Sequence, residues 1–274
     1  MGLFIPDDPA YDESARMTGF YRYRQLLSFN TASYMKTNLL TILGALPLAA
    51  GIGYAVLSTS ILVLIPASII GGAVFGPFLA AMFDTLYRGY RDAPGRWRDN
   101  WPKAFRQNFR DSLLPGAFFG LLAGLFVFAG FLFYWAETNP SLATLLWYLV
   151  AAVFYFVIFS LFWPQLVLFS QPLSATVRNM ILFAAKYLWK VLGIAAIQIV
   201  YIAVYVLFAP WTVILVPFLG FWYVLFLTQL IIYEDLNREL QIEAKFEEKE
   251  AAEEIGSTRL NSRHRLTSRM PSSA

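Results

Sequence analysis

The chain has 274 residues, of which 58% are hydrophobic and 14% are charged. A typical soluble domain is about 45–50% apolar and about 25% charged. This composition therefore excludes an ordinary soluble protein and indicates an integral membrane protein. The sequence contains no cysteine, which excludes disulfides, a thiolate nucleophile and a cysteine-based metal site.

The two ends of the chain differ in character from the rest. Residues 256–274 contain four arginines, the only histidine and no acidic residue. We interpret them as a non-native read-through tail, with a native disordered basic tail as the alternative. Without them, seventeen Lys and Arg stand against eighteen Asp and Glu, so the basic balance does not indicate a nucleic-acid partner. Residues 1–20 are acidic at their start, and we expect a flexible N-terminal segment without a cleavable signal peptide.

Six stretches without any charged residue are each about long enough to cross a bilayer. We predict an all-α membrane protein, in which residues 21–239 form a six-transmembrane-helix bundle with cytoplasmic interfacial amphipathic helices. A charged cytoplasmic helix or a disordered segment is expected at residues 240–255. The predicted spans are residues 39–57, 61–82, 113–135, 142–169, 191–208 and 211–233.

The distribution of positive charge predicts the orientation of these spans. Every Lys and Arg before residue 256 lies before the first span, between spans two and three, between spans four and five, or after span six. The other three links contain no Lys or Arg. Positive charge is retained on the cytoplasmic side of a membrane. We therefore predict a multi-pass protein of the bacterial plasma membrane with both termini in the cytoplasm.

The basic link between spans two and three has the pattern of an amphipathic helix that begins near Asn100. Aromatic residues recur every four positions on one face, and basic residues lie on another. Such a helix suits the headgroup region of an anionic inner leaflet, and docking of another protein is the alternative. Binding of nucleic acid is not expected, because these residues are held close to the bilayer. The candidate interface residues here are Arg96, Trp97, Arg98, Trp101, Lys103, Phe105, Arg106, Phe109 and Arg110.

A second basic–aromatic segment, between spans four and five, repeats this layout, and the segment before span one does so a third time. We predict that both lie at the cytoplasmic membrane surface. In the second segment the candidate membrane-interface or partner-docking residues are Arg178, Lys186, Trp189 and Lys190.

Two stretches of the sequence resemble the YesL-like family of small bacterial integral membrane proteins, a domain of unknown function. They are LIPASIIGGAVFGPFLAAMFDTLYRGYRDAPGRWRDNWPKAFRQNFRDSLLPGA, residues 64–117, and FWPQLVLFSQPLSATVRNMILFAAK, residues 162–186. The resemblance covers roughly residues 21–239 and includes no catalytic signature. It implies an accessory role in carbohydrate uptake, with a sugar ABC transporter or another membrane protein as the partner.

Glycines at a spacing of four predict close packing of spans two and three. Gly72 and Gly76 form one such pair, and Gly116, Gly120 and Gly124 form a double one. Small residues let helix backbones approach each other in a membrane. The packing can lie within one chain or form a homodimer interface.

The polar residues near and within the spans favour structure over catalysis. Gln165, Gln198 and Gln229 are the amides inside the predicted spans, and we expect hydrogen bonds between helices, with a polar pocket as the alternative. Asp84 and Arg88 have the spacing of an ion pair on one helix face. No catalytic, cofactor or metal motif is present, so we expect no enzyme and no cofactor. An accessory or scaffold protein is the predicted function, and a small transporter or channel for a neutral solute is the alternative.

Overall fold

Long helices account for nearly all of the chain that the structure, a computed structural model, describes: residues 19–135, 139–169 and 171–248. Within these ranges the chain contains helices and connecting turns and no strand. A short 3₁₀ helix, Trp211–Leu215, precedes the last α-helix. The α-helices are α1 Gly19–Leu57, α2 Ile61–Tyr90, α3 Trp97–Trp135, α4 Leu142–Leu168, α5 Leu173–Lys186, α6 Leu188–Leu207 and α7 Val216–Leu240.

In the part of the chain that the structure describes, six helical stretches are long and apolar enough to cross a membrane: α1, α2, Trp97–Phe133 of α3, α4, α6 and Trp211–Leu240. This confirms the predicted all-α, six-span architecture, and the chain is a multi-pass membrane protein. The predicted tail at residues 256–274 and residues 1–18 lie outside the described residues.

The charged segments before the first and third spans are continuous with those spans. Helices α1 and α3 have 39 residues each, a length of roughly 58 Å, whereas the hydrocarbon core of a bilayer is about 30 Å thick. The predicted helix near Asn100 is therefore the first part of α3 and begins at Trp97. By contrast, the second basic segment forms a separate helix, α5, which ends at Lys186, and Tyr187 separates it from α6.

Helices α2 and α3 pack closely at the predicted glycines. A Cβ atom added at Gly116 would lie 2.8 Å from the Cα of Gly76, and one added at Gly72 would lie 2.7 Å from the Cα of Gly120. Real Cβ atoms do not approach this closely, so only glycine fits these positions. At Gly124 an added Cβ would lie 2.9 Å from the Cβ of Ser68. All five predicted glycines thus lie at a helix crossing within one chain.

The first part of α3 takes a different course across α2. The rings of Trp101 and Phe105, one helical turn apart, both contact the ring of Phe78, with centroid distances of 6.2 and 4.9 Å. Because successive turns of α3 meet one position of α2, this part crosses α2 instead of running beside it. Pro115 lies inside α3 after the crossing, and a proline allows a helix to bend because it lacks an amide hydrogen.

The chain divides into two units, Met1–Leu230 and Ile231–Ala274. In the second unit, Gln241 has a left-handed φ of 53° and residues 242–248 are helical. The Tyr233 hydroxyl donates to Glu243 Oε1, and the Glu243 amide donates to Asn237 Oδ1 at 2.9 Å. These bonds attach the charged segment to the end of α7. Residues 249–255 of the predicted charged segment lie outside the described residues.

Candidate functional site

The first part of α3 is fixed to α1 through Trp97. The indole Nε1 of Trp97 donates to the hydroxyl of Thr37 at 2.8 Å. The ammonium group of Lys36 lies 5.7 Å from the centroid of the Trp97 ring, within the range of a cation–π interaction. This half-buried tryptophan therefore contacts protein on the side that we expected to face lipid.

The next two aromatic residues of α3 continue this contact onto α2. Trp101 stacks on Phe105 with a centroid distance of 5.3 Å, and both rings contact Phe78. Ala104, between them in sequence, is fully buried, whereas Phe109, one turn further on, is exposed. The aromatic face is thus half-buried against the protein at Trp97, Trp101 and Phe105, and it is exposed at Phe109.

A buried arginine fixes the turn that leads into α3. The guanidinium of Arg22 donates to the backbone carbonyl of Tyr90 at 2.8 Å and to Asp92 Oδ2 at 2.7 Å. Its other amino group donates to Gln25 Oε1 at 2.7 Å. Since Arg22 is only 7% exposed, these bonds compensate its desolvation. The start of α1 and the end of α2 are joined here, beside the entry to α3.

Three basic side chains project from the opposite side of α3. At 100° per residue, Lys103, Arg106 and Arg110 lie on one face, away from buried Ala104 and Ser112. We call these three residues the basic ridge. All three are exposed, and within the described part of the chain no carboxylate lies within ion-pair distance of them. Arg96 and Arg98 are also exposed.

Elsewhere, the predicted ion pair on α2 is confirmed, since Arg88 Nε lies 2.7 Å from Asp84 Oδ2. In the second basic segment all four predicted residues are exposed, and Trp189 is 84% exposed. The ammonium groups of Lys186 and Lys190 lie 5.6 and 6.0 Å from the Tyr187 ring centroid.

Two of the three predicted glutamines join helices through a buried amide network. Gln229 Oε1 accepts from the hydroxyl of Tyr87 at 2.9 Å, and its Nε2 donates to the carbonyl of Ser160 at 3.2 Å. Gln198 Nε2 donates to the Ser160 hydroxyl at 2.7 Å and to the Thr228 hydroxyl at 3.2 Å. Helices α2, α4, α6 and α7 therefore meet at these five residues.

One acceptor of this network stays unused. Gln198 is 2% exposed, and its Oε1 has no hydrogen-bond partner among the described residues. Gln165 has a more local role: its Nε2 donates to the Leu161 carbonyl within α4 at 3.1 Å, and its Oε1 accepts from Gln171 at 3.1 Å.

A further amide, Asn38, was missed by the sequence analysis because it lies one residue before the first predicted span. Helix α7 is broken at Gly220, which has φ −23° and ψ −115°. Asn38 Nδ2 donates to the carbonyls of Val216 and Pro217, both at 3.0 Å. Its Oδ1 accepts from the amides of the two residues after Gly220, at 2.9 and 3.3 Å.

The break in α7 receives a second polar partner from α6. The hydroxyl of Tyr201 lies 2.8 Å from the carbonyl oxygen of Leu219 and 3.0 Å from that of Gly220. Backbone groups released by a helix break must be satisfied when they lie within a membrane. Asn38 and Tyr201 do this from two neighbouring helices. Pro217 and Gly220, three residues apart in an apolar stretch, are the signals in the sequence that could have indicated this break.

The described residues thus carry two polar features: an exposed basic ridge and a neutral hydrogen-bonded interior. They include no group of three His, Cys, Asp or Glu side chains that could hold a metal ion. Comparison of the chain with models of protein families, with curated proteins and with solved structures found no match. The resemblance to the YesL-like family therefore stays a prediction from residues 64–117 and 162–186.

Proposed function

We propose that the chain is an integral membrane accessory or scaffold protein of the bacterial plasma membrane that binds a protein partner through the basic ridge. Both termini and the ridge lie in the cytoplasm in this proposal, as the distribution of positive charge indicates. The observation that carries the proposal is an exposed row of three cations on a helix segment whose other side is fixed to the protein.

The packing of α3 against α1 and α2 explains why the basic ridge is suited to bind a protein partner. Trp97, Trp101 and Phe105 pack against α1 and α2, so the backbone beneath Lys103, Arg106 and Arg110 has a defined position. A surface that is ordered before binding loses less conformational entropy when a partner binds. Cations that form no ion pair with a described carboxylate also attract an acidic surface and orient it. A partner with an acidic cytoplasmic surface therefore fits the ridge.

The resemblance to the YesL-like family supports a particular class of partner. It implies a sugar ABC transporter or another membrane protein of carbohydrate uptake. The ridge would then contact a cytoplasmic face of that transporter.

The test is co-purification from gently solubilised membranes with a charge-reversed ridge. Wild-type protein should recover a membrane-protein partner, and Lys103→Glu/Arg106→Glu/Arg110→Glu should recover at least about tenfold less, because three favourable charge contacts become repulsive. Arg178→Glu/Lys186→Glu/Lys190→Glu is the matched control, since it reverses three cations elsewhere, and it should retain the partner. Equal recovery with the ridge variant and this control would refute the proposal.

Transport of a neutral solute is a second candidate, and one observation favours it. Gln198 Oε1 is a buried acceptor without a described partner, as expected of a group that binds a polar solute inside a membrane protein. The break in α7 gives less support, because Asn38 and Tyr201 already bind the released backbone groups. Uptake of neutral solutes into proteoliposomes tests this candidate: a flux that Gln198→Leu abolishes in folded protein would support it, and absence of flux would exclude it.

A further inference from the structure

Helix α5 has one wide apolar face, and only part of it contacts the protein. Thr176, Met180 and Phe183 are buried. Leu173, Val177 and Ile181 are 60%, 43% and 64% exposed. Their spacing of four residues places these three side chains in one row along the helix. We call this row the α5 stripe.

Further exposed apolar residues follow the α5 stripe along the chain. Leu182, near the end of α5, and Leu188 and Trp189, at the start of α6, are also exposed. Helix α6 is one of the membrane-crossing helices, so its exposed apolar side chains contact acyl chains. A row of exposed apolar residues beside this lipid-facing surface suits the bilayer better than water.

The charged residues around α5 also indicate that this helix lies at a membrane surface. From residue 138 to residue 233 the sequence contains Arg178, Lys186 and Lys190 and no Asp or Glu. Arg178 is exposed and lies about 60° around the helix from Ile181, next to the stripe. Lipid phosphates are the anions present at a membrane surface, and arginine binds them through several N–H groups.

Helix α5 is held by hydrogen bonds at its start and is separated from α6 at its end. Before the helix, Gln171 Nε2 donates to Gln165 Oε1 of α4 at 3.1 Å and to the Thr176 hydroxyl at 3.0 Å. After it, Tyr187 has φ −116° and ψ 34°, so the chain leaves the α-helical conformation before α6. Helix α5 is thus a separate element between two membrane-crossing helices.

We propose that α5 lies in the headgroup region of the bilayer on the basic side, with the α5 stripe at the acyl boundary and Arg178 on the phosphate of an anionic lipid. This surface differs from the basic ridge and has a different occupant, lipid instead of a protein partner. The assignment of α5 to the bilayer surface therefore goes beyond the proposed function and can be refuted independently of it.

The test uses single cysteines, because the chain contains none. The full-length variants Val177→Cys and Ile181→Cys are labelled with an environment-sensitive fluorophore in nanodiscs of phosphatidylcholine and phosphatidylglycerol, in which both membrane faces are accessible. Gln107→Cys, exposed near the basic ridge, is the matched aqueous control. Labels on the α5 stripe should be quenched by lipids brominated near the headgroup and about fivefold less by iodide than the control label, because iodide stays in water.

A charge change separates anionic lipid from lipid in general. Adding Arg178→Glu to the Ile181→Cys variant should reduce quenching by brominated phosphatidylglycerol, whereas adding Arg110→Glu should leave it unchanged. If iodide quenches the labels at residues 177 and 181 as strongly as the label at residue 107, the proposal is overturned. The α5 stripe would then be a binding surface for a soluble partner. Disulfide formation between two copies through residue 181 would overturn it in favour of a homodimer. A monodisperse elution profile of each labelled variant confirms that it is folded.

Discussion

The first part of α3 and helix α5 carry the same types of residue, but they use their apolar sides differently. Both mix Lys or Arg with aromatic and aliphatic residues, and both lie next to membrane-crossing helices. In α3 the rings of Trp97, Trp101 and Phe105 are covered by α1 and α2. In α5 the equivalent apolar row is exposed.

The difference shows that amphipathicity does not decide what an apolar face contacts. The pattern requires only that water be excluded, which either lipid or protein can do. In α3 the neighbours supply specific partners, the hydroxyl of Thr37 and the ring of Phe78. Once they cover the aromatic side, the cations become the free surface of α3. In α5 the apolar side itself remains the free surface.

Among the changes that test this comparison, Gly116→Leu is expected to have the largest effect on the free energy of unfolding. The new side chain would collide with the backbone of α2 at Gly76, displacing the helix that carries the basic ridge. We expect a loss of about 3 kcal/mol or more in the free energy of unfolding, measured by titration with SDS in mixed micelles. Gly53→Leu is the control: no atom lies within 4 Å of a Cβ there, so the change should stay within about 0.5 kcal/mol. Equal stabilities of the two variants would contradict the close crossing.

Two tryptophans allow the comparison itself to be measured. Trp101 packs against Phe105 and Phe78, whereas Trp189 is exposed beside α5. Trp101→Ala should therefore lower the free energy of unfolding by about 2 kcal/mol, less than a fully buried tryptophan would. Trp189→Ala should change it by less than about 0.5 kcal/mol. If Trp189→Ala is the more destabilising in the same SDS titration, the assignment of covered and exposed faces is reversed.

Two arginines give the next smaller contrast. Arg22→Leu leaves the carbonyl of Tyr90 and the carboxylate of Asp92 without their charged donor, and we expect a loss of about 1.5 kcal/mol. Arg106→Leu removes an exposed cation and should change stability by less than about 0.5 kcal/mol. Thermal unfolding in detergent measures both. A large loss for Arg106→Leu would show that the basic ridge stabilises the fold and is not free for a partner.

The sequence predicts the number of spans well because lipid imposes a strong and local requirement. Helices α2 and α4 begin at Ile61 and Leu142, as predicted, since uncharged stretches of this length have few other stable conformations. The predicted helix near Asn100 is also found. The sequence did not predict that this helix is continuous with the third span. The composition changes from charged to apolar within α3, although the helical backbone continues without interruption.

The polar interior could be predicted only in part. The residue types Gln198 and Gln229 indicate hydrogen bonds between helices, but their partners depend on helix rotation. Asn38 and the break at Gly220 were missed because each depends on the other across more than 180 residues. A proline inside a span does not by itself locate a break, since Pro77 lies within unbroken α2 and the break in α7 occurs at Gly220, three residues after Pro217.

The smallest of these effects concerns one hydrogen bond and tests the contact that fixes the start of α3. Thr37→Val keeps the shape of the side chain but removes the acceptor of the Trp97 indole, and Trp97→Phe removes the donor. Each should cost about 1 kcal/mol in the free energy of unfolding, a common value for a single hydrogen bond. The double variant should cost less than the sum of the two single variants, because the bond that they share is lost only once. The SDS titration of all four proteins measures this coupling. Additive losses would mean that Trp97 and Thr37 act independently and that α3 is held to α1 by other contacts.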